Sequence, residues 1–450
     1  ARMAMRPAPM KKVQKSSLLR KPKNVPYTRH GSSSVRSRLD WAAWARCLKD
    51  FVNATTKQVI DRLKKDKVLP EWRGAKCPYC QIGEPGPLKD NGKKKGGWTH
   101  KCSSDCCRRF LVPHAFHPIF KCGAGSLGGG GRLADQAAVL FCSAPQCSQT
   151  SARLLLKNNR NMTEGIYSAL YAARAKYVNS HEKNISIGHG QDSNALEWTD
   201  VEADEVDVAK GEGPNAGPRA QKPIIWEQWG GIAQRGNPRP LVLLRLKPEK
   251  SKRRAPGPGP IRKRDWAPMA SKWLKHRRVI LHADGARSYM MKVDGVLHDW
   301  VVHKKNRARV GGEWAWPKPA FTKIRYRDVP HQSKPSGTKR LWVKCGTQVI
   351  DRARGDLRKA VGRGIAKTVG SVFLRNKAGE WGVLPGAGKV GGWHALRFGE
   401  AAQRDMRSCC SLSGLCKVRS FQWAHWNRGS DLWLATGQML RDAWAKDHAQ

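Results

Sequence analysis

Three aspartates stand at positions where strand and helix patterning offers few structural reasons for an acid. Asp204 lies in the middle of the alternating stretch Val201-Glu202-Ala203-Asp204-Glu205-Val206-Asp207-Val208. Asp284 ends the apolar run Val279-Ile280-Leu281-His282-Ala283 and precedes Gly285. Asp351 sits beside Ile350 in a segment of helical spacing, with Arg358 two turns further along the same face. Phosphoryl transfer on DNA uses two divalent cations about 3.5–4 Å apart, one activating the attacking oxygen and one stabilising the leaving oxygen. Mg2+ or Mn2+ fits that role, and Mg2+ is a hard ion that takes carboxylate oxygens. Three aspartates can ligate two such ions. Taken singly, each has an ordinary use: Asp284-Gly285 can be a turn and Asp351 a surface or capping residue. Glu205 is the near rival of Asp204.

The cysteines offer a second chemistry. Cys77-Pro78-Tyr79-Cys80 is a knuckle with two residues between its thiols. After a basic, Gly-rich spacer, Cys102-Ser103-Ser104-Asp105-Cys106-Cys107 supplies a second pair, closed by Cys106 or by Cys107. Four thiolates are the tetrahedral set that structural Zn2+ prefers, so residues 73–113 are expected to form a zinc ribbon. Buried free thiols are the alternative. His114 and His117 lie close enough to substitute, whereas Cys122, Cys142 and Cys147 lack a partner knuckle. An odd total of 13 cysteines in a long chain without a visible secretory signal favours thiols or metal ligands over disulfides.

These residues need elements to position them. Residues 1–39 hold no acid and carry Lys11-Lys12 and Arg20-Lys21-Pro22-Lys23, which reads as a disordered basic arm in which Lys11 and Lys12 contact DNA. Over 40–72, Trp41, Trp44, Leu48, Phe51, Val59, Ile60 and Leu63 fall at helical spacing, broken near Asn53-Ala54-Thr55-Thr56. Residues 133–185 are helical, with Ile166, Leu170, Ala173 and Tyr177 on one face, and form either a helix-turn-helix or a packed helical spacer. Near residue 198 the period changes. Three strands follow (201–208, 224–233 and 241–246), then a short helix at 266–274, strands at 279–284 and 296–302, and a helix over 348–365. The class is therefore α/β, with one domain over 198–366 and a Trp-rich extension over 370–450 that carries no motif.

Charge says what such a chain meets. Lys and Arg number 84 against 35 Asp and Glu, a formal charge of +49. Self-repulsion on that scale disfavours a compact state unless a polyanion neutralises it, and a phosphate backbone does so by releasing counterions. Nucleic acid is the expected partner; an anionic membrane surface and a decayed coding sequence that drifted basic are the alternatives. No run approaches the ~20 apolar residues of a membrane helix, so no membrane span is expected.

The order of elements resembles the RNase H-like fold of DDE transposases, a mixed sheet flanked by helices. Particular residues resemble one group, the insertion-sequence transposases with an N-terminal zinc ribbon and their Merlin-like eukaryotic relatives. The acidic pair within Val201-Glu202-Ala203-Asp204-Glu205, the strand end His282-Ala283-Asp284-Gly285 and the following Tyr289 resemble its motifs. Gly295-Val296-Leu297-His298-Asp299-Trp300-Val301-Val302-His303 is similar to its Gly/His stretch, with spacing off by a residue in places. Thr347-Gln348-Val349-Ile350-Asp351-Arg352-Ala353-Arg354, then Arg358, resembles its last motif. The resemblance implies a DNA transposase that hydrolyses and transfers strands at transposon ends. It makes Asp204, Asp284 and Asp351 the catalytic metal ligands, sets Arg358 where the family has a lysine on DNA phosphate, and gives His298 and His303 a supporting role. It further implies assembly into oligomers on DNA, in a nucleus or on a nucleoid. The sequence departs from the family three times: the third acid is Asp351 in place of glutamate, Arg354 replaces a helix tryptophan, and the Gly-rich stretch 123–131 reads as an altered segment. A non-catalytic zinc-ribbon DNA-binding protein derived from a transposase is the alternative.

Overall fold

The break in apolar spacing near Asn53 falls where the backbone turns. In the computed structural model, which describes residues 22, 24–28, 44–92, 97–120, 131–188, 197–212, 223–247, 249–252, 257–301, 307–315, 321–330, 337–361, 374–375, 381–382 and 412–448, helix α1 (Lys49–Val52) stops at Asn53. Helix α2 (Thr56–Lys65) starts under a capping box in which Thr55 and Gln58 satisfy each other's backbone N–H groups. Trp41, Lys11, Lys12, Cys122 and His303 lie outside the described residues. Among the described residues of the segment expected to be a disordered arm, Val25 is buried and Tyr27 reaches the main sheet.

Residues 85–111 build a three-stranded antiparallel sheet, β1 (Lys89–Asp90), β2 (Trp98–Lys101) and β3 (Phe110–Leu111), in that order. Helices α3 (Leu133–Ser143), α4 (Gln149–Leu156) and α5 (Arg160–His181) follow. Ile166 and Leu170 of α5 are buried, and Ala173 and Tyr177 pack beside them, as the spacing predicts. These helices share one core with Phe51 of α1, Leu63 of α2 and two tryptophans from the far end of the chain, Trp423 and Trp433. The described part of the C-terminal extension is thus part of the core.

The main sheet explains the change of period. Its strands are β4 (Thr199–Glu212), β5 (Ile224–Gln234), β6 (Leu241–Arg245), β7 (Glu249–Ser251), β8 (Val279–Ala283) and β9 (Val296–Trp300). The order is β6-β5-β4-β8-β9, with β7 pairing β5. The first three strands run antiparallel as a meander, while β8 and β9 lie parallel to β4 and to each other. Helix α6 (Lys263–Trp273) lies in the connection to parallel β8, and its Trp266, Met269 and Trp273 cover Val201, Ala203, Leu281 and Ala283 on one face. Two two-stranded ribbons follow: β10 (Ala308–Val310) with β11 (Glu313–Ala315), and β12 (Lys323–Pro330) with β13 (Thr338–Cys345). Helix α7 (Gln348–Val361) covers the opposite face, setting Ile350, Ala353 and Leu357 against Val206 and Trp229. A short pair, β14 (Leu374–Arg375) and β15 (Trp381–Gly382), precedes α8 (Leu412–Trp426) and α9 (Leu432–His448). The molecule is a mixed α/β structure, and no helix among the described residues is long and apolar enough to cross a membrane.

Candidate metal centres

Strand register sets the first centre. Glu202 of β4 lies opposite His282 of parallel β8, so Asp204 and Asp284, two residues beyond each, stand at the same level on neighbouring strands. Glu205 follows Asp204 and points to the other face, where Tyr289 donates to its Oε2 at 2.6 Å and the Ile261 N–H to its Oε1 at 3.3 Å. One carboxylate oxygen each from Asp204, Glu205 and Asp284 lies within 4.8 Å of the others, close enough for a metal ion to share. Asp284 Oδ1 accepts the N–H of Ala286 at 2.9 Å, which turns the chain at the strand end. The cross-strand neighbours of Asp204 and Glu205 are Gly231 and Gly230. A Cβ on Gly231 would come 2.9 Å from Ile350 of α7, and one on Gly230 would come 2.8 Å from Met269 of α6. The paired glycines let helices approach from both faces beside the acids, a signal present in the sequence that the acidic motifs alone do not reveal.

Burial dominates the electrostatics. It pushes the Asp204 carboxyl up to about 8; Arg354 pulls it down, and Glu205 and Asp351 push it further up. Glu205 is raised as well, chiefly by burial, against the hydrogen bond from Tyr289. Without a cation, burial favours the protonated form of Asp204 and the Arg354 guanidinium the ionised one. A divalent ion would displace the proton, as metals do with acidic ligands.

Asp351 reaches this centre through an arginine. The Arg354 guanidinium pairs with Asp204 Oδ2, and the same Nη1 lies 3.2 Å from Asp351 Oδ1. Thr347 donates to the other Asp351 oxygen at 3.0 Å. Of the three expected ligands, Asp204 and Asp284 come together, Glu205 completes the carboxylate set, and Asp351 is set apart by the guanidinium. Arg354, which stands where the family has a helix tryptophan, is therefore matched by two carboxylates. Arg358 lies along the same helix, exposed, with its Nε 3.4 Å from the Asp207 carbonyl. His298 sits on β9 opposite Leu281, three residues short of Asp284 in register, with its ring stacked on Trp300 at 5.4 Å. Burial pushes it down to about 4, and its Nε2 has no hydrogen-bond partner among the described residues.

Local patterning does not show what holds α7 in place. Glu202, fully buried in β4, accepts the N–H groups of Val349 at 2.7 Å and Ile350 at 2.9 Å, capping the helix from inside the sheet. Its other oxygen takes Arg235 Nε at 2.6 Å and the Tyr27 hydroxyl at 2.6 Å. Arg235 also donates to the carbonyls of Lys344 and Gly346, both at 2.7 Å, while its guanidinium lies 3.8 Å from the Tyr27 ring centroid. This clasp sets where Asp351 and Arg354 face the sheet.

The second centre is the cysteine cluster. Cys77, Cys80, Cys102 and Cys107 bring their sulfurs within 4.8 Å of one another. The Cys77–Cys107 and Cys80–Cys102 separations are 3.9 and 3.7 Å. A tetrahedral site with metal–sulfur bonds of about 2.3 Å places its sulfurs about 3.8 Å apart. The choice left open between Cys106 and Cys107 falls to Cys107. Each knuckle is followed by a left-handed residue, Gln81 at φ 59° and Arg108 at φ 42°, which turns the chain after the second thiol. Cys106 is exposed, with its Sγ 3.0 Å from Ser104 Oγ. Backbone N–H groups, first that of Gly83, pull the Cys80 thiol down, while burial raises that of Cys102, so a cation would have to draw off protons as it binds the cluster. His117 is committed elsewhere: its Nε2 meets the Val68 carbonyl at 2.9 Å, and its Nδ1 accepts from Ile119 and Phe120.

Fold and sites together define a mixed α/β protein with a four-cysteine cluster and a carboxylate cluster, each able to hold a metal. Comparison with known protein families, curated proteins and solved structures finds no match.

Proposed function

We propose that this chain is a transposase-like protein that hydrolyses and transfers DNA strands at transposon ends on an RNase H-like domain. The observation that carries the reading is the meeting of carboxylate oxygens from Asp204, Glu205 and Asp284 just beyond the parallel pairing of β4 with β8. Carboxylates so arranged suit Mg2+ or Mn2+, and a divalent ion there activates water against a phosphodiester. Strand order supports the RNase H-like assignment: an antiparallel meander joined through its first strand to two parallel strands, with helices on both faces. The formal charge of +49 suits a DNA partner, and Arg358 stands exposed one turn beyond Arg354 on the same helix, free to meet a phosphate. The four-cysteine cluster suits a structural Zn2+.

The test is nicking of terminal-repeat DNA by the purified protein with Mn2+. Asp284→Asn is expected to bring nicking to background, because it removes a metal ligand at the end of β8; nicking unchanged by that substitution overturns the mechanism.

The Arg354 ion pair favours a second reading, a DNA-binding protein that no longer cuts. A guanidinium already occupies the space between Asp204 and Asp351 that a second cation would need. On this reading, DNA affinity falls steeply with salt and is insensitive to replacing Asp204, Asp284 or Asp351 by asparagine.

A further inference from the structure

The stretch between β9 and α7 is strongly basic. From Val302 to Cys345 it carries twelve Lys or Arg against the acids Glu313 and Asp328. Its described parts are the ribbons β10–β11 and β12–β13, which pair with no other strand among the described residues. Large aromatic side chains stand exposed on them: Trp314 at 58% and Tyr326 at 46%. Each lies under arginine. Arg307 and Arg309 approach the Trp314 ring at 5.4 and 5.7 Å, and Arg340 covers Tyr326 at 4.2 Å. Directly opposite Tyr326 stands Trp342, edge-on at 5.8 Å.

Both roots of β12–β13 lie next to the acidic centre. Arg325 (at 3.3 Å) and Arg327 bond Asp299 of β9, which lies opposite His282, two residues before Asp284. At the other end, β13 passes through Gly346 to Thr347, which holds Asp351. A strand lying along the ribbon would therefore be led toward the carboxylates.

We propose that these ribbons bind an unpaired DNA strand, with Trp314 and Tyr326 stacking on its bases and Arg307, Arg309 and Arg340 on its phosphates. The inference rests on the reading that DNA is the partner. What singles out an unpaired strand is the combination of ring and charge. The outside of a duplex hides base faces, so exposed rings gain little from it, whereas unpaired bases stack on aromatics while a basic surface follows the backbone. A guanidinium resting on a ring can give that face to a base and turn its N–H edge to phosphate.

The experiment uses the full chain carrying Asp284→Asn, so that no cutting complicates binding. Affinity is measured by fluorescence anisotropy for a labelled oligonucleotide, single-stranded and as a blunt duplex. Trp314→Ala and Tyr326→Ala, singly and together, are expected to weaken single-strand binding between about 5- and 150-fold per lost stack, with duplex binding within twofold of the parent. Single-strand affinity unchanged by the double substitution overturns the inference, as does an equal loss for both DNAs. If neither the parent nor the variants bind any DNA, the DNA-partner reading falls with it, an outcome distinct from failure of the ribbon alone. Trp314→Phe and Tyr326→Phe, which keep a ring, are expected to restore most of the lost affinity.

Discussion

Replacing Arg354 by methionine tests whether a guanidinium stands in for a cation among the carboxylates. Methionine keeps an unbranched apolar stem and removes the charge. Arg354 pairs with Asp204 and lies 3.2 Å from Asp351, with its side chain 21% exposed and that of Asp204 12%. Removing one partner of a buried ion pair costs roughly 3–5 kcal/mol. Partial solvent access screens the pair, which brings the expected loss to about 2–4 kcal/mol. Asp204, already pushed up to about 8 by burial, then loses the strongest charge holding it down. It keeps its proton to higher pH, which limits the damage. Unfolding entropy of about 2.1 cal/mol/K per residue makes 1 kcal/mol worth about 1 °C in a chain of 450 residues, so the melting temperature of the metal-free protein should fall by roughly 2–4 °C. A divalent ion binding only the folded state at 100 times its Kd returns about 2.7 kcal/mol. Mn2+ should therefore stabilise Arg354→Met more than the parent, in which the arginine competes for the same carboxylates. The assay is thermal denaturation with and without Mn2+, with Zn2+ kept saturating throughout. A variant as stable as the parent without Mn2+, or an equal Mn2+ shift in both, refutes the reasoning.

Cys106→Ser should leave one tightly bound metal per chain and Cys107→Ser should lose most of it, measured by elemental analysis; equal metal in the two refutes the choice of Cys107. Because burial raises Asp204 to about 8, a proton competes with the metal below that pH, and the apparent Mn2+ Kd should tighten by about tenfold per unit from pH 6 to 8 and level off above. A flat profile by calorimetry over that range contradicts it. The same shift has a stability consequence of definite sign. A carboxyl raised in the fold binds its proton more tightly there than in the unfolded chain, so metal-free stability falls as pH rises from about 4 toward 8, and Asp204→Asn should flatten that slope in denaturant titrations. Glu202→Gln leaves Arg235 buried without its carboxylate and should cost about 3–5 kcal/mol, with faster hydrogen exchange at Val349 and Ile350; unchanged exchange there refutes the clasp.

Much of the scaffold was legible because it is local. The break between α1 and α2, the alternation through β4 and the apolar stripe of α7 follow from the periods of helix and strand. Cys-x2-Cys spacing announces a knuckle because one turn of chain fixes both thiols. What that spacing left open, Cys106 or Cys107, was settled by which thiol the turn at Arg108 leaves facing the other knuckle. The C-terminal tryptophans carried no pattern of their own, since their partners are α1 and α5, hundreds of residues away.

The sequence by itself determined which residue types were present for chemistry: two cysteine knuckles, acids at strand ends and a large basic excess. It also placed Asp204 and Asp284 on strands, since alternation is readable along the chain. Tertiary structure alone decided which acids meet. Parallel pairing of β4 with β8 put Asp204 level with Asp284 and left Glu205 in reach, whereas the path of α7 set Arg354 between Asp204 and Asp351, 150 residues from the acid it pairs with. Likewise Tyr27 finds Glu202 across 175 residues, inside a segment that reads as a basic tail. The reason is physical: periodicity encodes which face a side chain occupies, but the register between distant elements is set by packing that no local pattern records.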